Sequence, residues 1–119
     1  MIDILNIAVA LLTIAFGLFG LIAPRYTAGV LDLEVGATTM GLSELRASAG
    51  GLFVALGGIA LITGSAAVYA GLGIAYAGAC IGRLVSMVAD KPPQPKAALY
   101  FAFEAVGAAW LLAIHGSAI

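Results

Sequence analysis

Residues 47–82 read ASAGGLFVALGGIALITGSAAVYAGLGIAYAGACIG, a run of 36 residues without Asp, Glu, Lys, Arg or His. At 1.5 Å per residue, one helix of this length would reach about 54 Å, whereas a bilayer's hydrocarbon core is about 30 Å thick. The run therefore predicts two membrane-spanning helices. Thr63-Gly64-Ser65 near its middle has the composition of a tight turn, with Ser65 as N-cap of the following helix.

The rest of the chain is equally apolar. Only 9% of the 119 residues are charged, 63% are apolar, and the mean hydropathy is +1.14, whereas soluble domains carry about 25% charged residues. A second uncharged run ends at Pro24, and residues 90–95 form a proline-rich loop. We therefore predict an all-α, polytopic membrane protein. It would be a four-transmembrane-helix bundle forming a single domain over residues 1–119, with spans at about 4–23, 42–62, 66–88 and 97–114.

Composition also limits the function. The net charge of −1 and the lack of a basic tract argue against a nucleic-acid partner. No catalytic triad, phosphate-binding loop or CxxC pair is present, so the sequence does not indicate an enzyme or a cofactor. His115 has no second metal ligand near it in sequence, and the single cysteine, Cys80, is interpreted as a packing residue.

The cations predict the orientation in the membrane. Lys and Arg occur only on the side of the two longer loops, 24–41 and 89–96, and none lies on the side of the termini. Because cytoplasmic loops are rich in Lys and Arg, we expect these loops in the cytoplasm of a bacterial inner-membrane protein and both termini outside.

Small residues at four-residue spacing predict close helix packing. Gly78 and Gly82 form a GxxxG motif in the third span, and the second span contains Gly50, Gly51, Gly57 and Gly58. These residues favour a tight bundle, with a homo-oligomer face as the alternative.

Four charged residues within the predicted spans are the main candidates for function. Glu44 and Arg46 lie in the first turns of the second span, Arg83 about 9 Å from the end of the third, and Glu104 about 12 Å into the fourth. An unpaired charge in the bilayer core costs at least about 3 kcal/mol, so these groups should pair across helices. One arrangement has Arg46 or Arg83 on Glu104 and Glu44 on the other arginine.

Three interpretations of this set stay open. It is an electrostatic clamp that fixes helix register, a cytoplasm-facing pocket for a lipid-like or anionic small molecule, or a proton relay through Glu104. Two arginines at this depth would bind a carboxylate, a phosphate or a quinone oxygen. Ser48 and Ser86 would each add a hydroxyl to such a pocket, although serines in membrane helices more often bond a backbone carbonyl.

A family resemblance singles out nearly the same residues. The segments SELRASAGG at 43–51 and GRLVS at 82–86, followed by Glu104, resemble a family of small bacterial four-helix membrane proteins of unknown function. That family is similar in layout to DoxX-like membrane proteins. The resemblance implies roles for Glu44, Arg46, Arg83, Ser86 and Glu104 and supplies no activity. DoxX-like proteins include quinone-linked membrane subunits, so a redox-accessory role follows by analogy only.

We therefore expect a non-enzymatic binding or accessory protein of the lipid bilayer. Its intramembrane polar cluster, Glu44, Arg46, Ser48, Arg83, Ser86 and Glu104, would hold a ligand or dock a membrane partner subunit. The first alternative is a small proton-coupled exporter using Glu104. Small multidrug exporters are similar in size but carry their essential glutamate in the first span, where this chain has none between Asp3 and Arg25.

Overall fold

The computed structural model describes residues 2–119, and for Ile2 only the backbone. The described chain is all-α, without strands. Four of its helices are long and apolar enough to cross a membrane: Asp3–Ile22, Met40–Thr63, Ala66–Ala89 and Lys96–Ala118. The chain divides into two compact units, Met1–Thr63 and Gly64–Ile119. The packing of all four helices into one bundle stays a prediction.

The first unit contains α1 (Ile2–Ile22), α2 (Pro24–Val30), α3 (Met40–Arg46), a π-helical turn (Ala47–Gly51) and α4 (Leu52–Thr63). The last three form one continuous helix, called the second span here, which packs against α1. The sequence did not predict α2. Pro24 ends the first span as expected, but it also begins α2, because proline is favoured at the first helical position.

The faces of α1 are arranged for lipid. Its buried positions recur every three or four residues and carry only small or polar side chains, namely Asn6, Ala10, Thr13, Gly17 and Gly20. Large apolar side chains occupy the outside, as at Leu12 and Phe16, each at least half exposed. Small residues at the helix contact and large ones outside are typical of membrane helices, because lipid supplies the apolar surroundings.

The contact between α1 and the second span is backbone against backbone. A Cβ built on Gly50 would lie 2.6 Å from the Leu21 backbone nitrogen, and one on Gly17 would lie 2.8 Å from the Val54 nitrogen. Only glycine permits this approach. Gly58, by contrast, has no heavy atom within 4 Å of the corresponding position.

The second unit is a hairpin of α5 (Ala66–Ala89) and α6 (Lys96–His115) followed by a short 3₁₀ turn (Gly116–Ala118). Ser65 is the N-cap of α5, as predicted, since its hydroxyl accepts a hydrogen bond from the Val68 N–H at 3.4 Å. Gly64 before it has a φ of +59°, which suits glycine. Within this unit the close approach is at Gly73, against Leu111, and not at the predicted Gly78–Gly82 pair.

Candidate functional site

The second unit contains an ion pair between two of the predicted site residues. Arg83 on α5 and Glu104 on α6 are joined by an Nε–Oε1 distance of 2.8 Å. The Arg83 side chain is 35% exposed and that of Glu104 13%. Each lies more than one helical turn from the loop between the helices, so the pair is inside the segments that can span the membrane. The pairing of Arg83 with Glu104 is one of the arrangements that the charge pattern predicted.

Tyr100 completes this cluster. The Arg83 guanidinium carbon lies 5.4 Å from the centre of the Tyr100 ring, within the range of a cation–π interaction. Tyr100 precedes Glu104 by four residues, so one helix face presents both to Arg83. The sequence suggested Tyr100 only as an anchoring or packing residue of the fourth span, and its four-residue spacing to Glu104 is the signal that places it beside the ion pair. We call Arg83, Glu104 and Tyr100 the arginine cluster.

The arginine cluster leaves donors free. Arg83 presents five N–H donors, and its hydrogen bond to a described residue uses Nε. Neither terminal guanidinium nitrogen donates to another of the residues 2–119. The planar edge of the guanidinium that suits a carboxylate or a phosphate is therefore available.

Ser86 does not contribute to the arginine cluster. Its hydroxyl donates to the Asp90 carboxylate at 2.8 Å, and its carbonyl accepts the N–H groups of Asp90 and Lys91 at the end of α5. The Ser86 hydroxyl proton is therefore used at the end of α5, and a contribution of Ser86 to a pocket beside Arg83 stays a prediction.

In the described part of the first unit, Arg46 does not form the predicted ion pair with a glutamate. Its Nη1 donates to the Leu21 carbonyl at 2.6 Å. Leu21 lies in the last turn of α1, where carbonyls lack helical partners and carry partial negative charge. Arg46 therefore caps α1. Among the described residues of this unit, no Lys or Arg nitrogen forms an ion pair with Glu44, so the expected Glu44–arginine pair is not formed here.

An open depression of about 300 Å³, called the cavity here, lies beside Glu44 in the first unit. Its polar lining residues Glu34, Glu44 and Ser48 are exposed. Ser48 also lines it, and the Ser48 hydroxyl donates to the Glu44 carbonyl at 2.7 Å, the usual behaviour of a membrane-helix serine. The remaining walls come from α2, the segment after it and α3, namely Ala28, Leu33, Glu34, Val35, Gly41 and Leu45. Glu34 was not among the predicted site residues.

His115 lies at the end of α6, stacked on Tyr69 with a centroid distance of 5.4 Å. Its Nε2 is buried and has no hydrogen-bond partner among the described residues. Within those residues, no group of three His, Cys, Asp or Glu side chains could hold a metal ion.

Comparison with known proteins assigns a family and no activity. A domain of unknown function, DUF4345, matches residues 1–115. No curated protein and no solved structure matches the chain. The chain therefore belongs to the DUF4345 family, and the expected membership of a family of unknown function is confirmed, whereas the likeness to DoxX-like proteins stays a prediction.

Proposed function

We propose that this multi-pass membrane protein is a binding protein, and that the arginine cluster holds the anionic head of an amphiphile. The observation that carries the proposal is the way Arg83 is held. Glu104 engages Nε alone, and Tyr100 lies against the guanidinium, so both terminal nitrogens are left to donate. A carboxylate or a phosphate accepts two such hydrogen bonds side by side.

The surroundings favour an amphiphile. Arg83 and Glu104 lie within spans that can reside in lipid, and the neighbouring outward positions on α5 are apolar, as at Val85, which is 63% exposed. A ligand that reaches Arg83 from the bilayer would leave its chain among such side chains. Because an incompletely paired charge in lipid is costly, the anionic head of such a ligand would be drawn to the guanidinium.

Proton-coupled transport through Glu104 is the alternative. It would require the carboxylate to release Arg83 and bind it again in each cycle, because the two are joined at 2.8 Å. Glu104→Gln should then abolish transport by the protein in proteoliposomes while the helices stay folded. A quinone-linked accessory role would use the same Arg83 donors, with a quinone oxygen as acceptor.

Native mass spectrometry of protein extracted in a neutral detergent tests the proposal. The probes are decanoate, as a free amphiphile, and phosphatidic acid, as a lipid. Arg83→Lys keeps the positive charge beside Glu104 but removes the planar guanidinium edge. We expect it to weaken binding of at least one probe by about tenfold, which corresponds to about 1.4 kcal/mol.

Arg25→Lys is the matched control, since Arg25 is exposed on α2 in the other unit. It should bind both probes as the unaltered protein does. Binding of decanoate alone would indicate a free ligand, and binding of phosphatidic acid alone a lipid. Equal affinities of Arg83→Lys and the unaltered protein would contradict the proposal.

A further inference from the structure

The cavity in the first unit is lined by one face of the second span and by the segment after α2. Four of its lining residues, Gly41, Glu44, Leu45 and Ser48, recur at three- and four-residue spacing and form one face of the second span. Opposite them lies the segment 33–35, which follows α2. The cavity volume of about 300 Å³ is at the lower end of the range for small-molecule sites.

The polar side chains of the cavity all offer acceptors. Glu34 and Glu44 present carboxylates, and Ser48 has already donated its proton to the Glu44 carbonyl, so its oxygen can only accept. No Lys or Arg lines the cavity. Arg46, which is near in sequence, has its guanidinium on the Leu21 carbonyl instead. A ligand that complements this lining is a cation or a hydrogen-bond donor.

The remaining walls of the cavity favour an organic cation over a metal ion. They are apolar side chains, contributed by Ala28, Leu33, Val35 and Leu45. A hard metal cation needs six or more oxygen ligands around it, which apolar walls do not supply. An ammonium group with attached alkyl groups makes use of both the carboxylates and the apolar walls.

We propose that this cavity, built from the second span and the segment after α2, binds an organic ammonium group. The ammonium lies between Glu34 and Glu44, and its alkyl substituents contact Leu33, Val35 and Leu45. The cavity lies where α1 has ended and the second span begins, a level at which both soluble amines and the ammonium heads of lipids are present. This proposal is independent of the arginine cluster, which is in the other unit.

The test is an amide NMR titration of the protein in a neutral detergent with hexyltrimethylammonium. Hexanol and hexanesulfonate serve as neutral and anionic counterparts of equal chain length. We expect the cation alone to shift the signals of residues 41–48 saturably. Glu44→Gln should weaken this binding by about tenfold, because it removes a charge-assisted contact. Asp3→Asn, the same type of change outside the cavity, should leave the affinity unchanged.

A second pair of variants tests the cavity itself. Gly41→Leu would fill it, since no heavy atom lies within 4 Å of a Cβ at Gly41. Gly29 on α2 has the same free space but does not line the cavity, so Gly29→Leu is the matched control. Gly41→Leu should abolish the titration and Gly29→Leu should preserve it.

Bilayers separate the two sources of an ammonium group. In nanodiscs of phosphatidylglycerol the added cation should bind, and phosphatidylethanolamine should compete with it if a lipid head is the ligand. Without competition the ligand is a free amine. If hexanol shifts the amide signals as much as hexyltrimethylammonium does, the cavity is apolar and does not select for charge. If the cation gives no saturable shifts, there is no site. Either result overturns the proposal.

Discussion

Arg83 and Glu104 illustrate how one charge stabilises another within an apolar hairpin. Glu104 is 13% exposed and its partner 35%, so the pair is removed from water only in part. Loss of one member of a fully buried pair costs about 3–5 kcal/mol, because the other charge is left uncompensated. Partial exposure reduces this cost.

Glu104→Gln should therefore lower the stability of the protein in neutral detergent by about 1–3 kcal/mol, seen as a lower melting temperature. Adding Arg83→Met to this variant should restore part of the loss, because neither charge then remains. Asp3→Asn, at an exposed carboxylate outside both the ion pair and the cavity, is the control and should change the melting temperature much less. Unchanged melting of Glu104→Gln would show that the ion pair does not stabilise the hairpin.

Lys91 has a backbone conformation that lowers the stability of the protein. It follows the end of α5 with a φ of +49°, and its N–H bonds the Ser86 carbonyl at 3.2 Å. Glycine is the preferred residue at such a helix end, because a Cβ is unfavourable at positive φ. Lys91→Gly should raise stability by about 0.5–1 kcal/mol, measured by thermal unfolding. Lys91→Ala should give no such gain, and an equal gain would refute the conformational explanation.

At the scale of the helices, the contact of α1 with the second span depends on specific glycines. Gly50→Ala would place a methyl group 2.6 Å from the Leu21 nitrogen, so the two backbones must separate. Overpacking of this kind costs about 1–3 kcal/mol. Gly58→Ala lies on the same span with free space around it and should be neutral or slightly stabilising. Unfolding titrations with a denaturing detergent compare the two, and equal stabilities would contradict the observed contact.

The helices could be predicted from sequence to different extents. Charge-free runs of span length predict three of the four long helices, because lipid tolerates few charges. The fourth contains Glu104 and is predicted from its apolar composition after the proline-rich loop. The short α2 could not be found in this way, since seven residues provide no span signal. The sequence predicts the packing faces of the helices only in part. Asn6, Thr13 and Gly17 on α1 lie at helical spacing, but the sequence does not distinguish the closely packed Gly50 from Gly58, which has free space around it.

For the candidate site, the sequence predicts which residues are involved but not how they are paired. The cost of a charge in lipid identifies Arg83 and Glu104 and requires a partner for each, but it does not choose the partner. Arg46 instead caps α1 through the Leu21 carbonyl, a backbone acceptor that charge counting ignores. The cavity beside Glu44 depends on the path of the segment 33–35, which lies outside the helices, so helical spacing does not predict it.

The whole molecule has a testable orientation. The distribution of Lys and Arg predicts both termini outside and the loop of residues 90–95 in the cytoplasm. In a Cys80→Ala background, Ser117→Cys should react with a membrane-impermeant maleimide applied to intact cells. Gln94→Cys should react only after permeabilisation. The reverse pattern of labelling would invert the proposed topology.

The claim that Glu104 holds Arg83 by Nε and leaves its outer edge to an anion is tested most directly by ¹⁵N NMR of the arginine side chains. We predict a slowly exchanging Arg83 Nε–H signal that is lost in Glu104→Gln. We further predict that added short-chain phosphatidic acid shifts the Arg83 terminal guanidinium signals saturably and leaves the Nε–H bond intact. A rapidly exchanging Nε–H in the unaltered protein, or terminal signals that do not respond to the anion, would contradict the account.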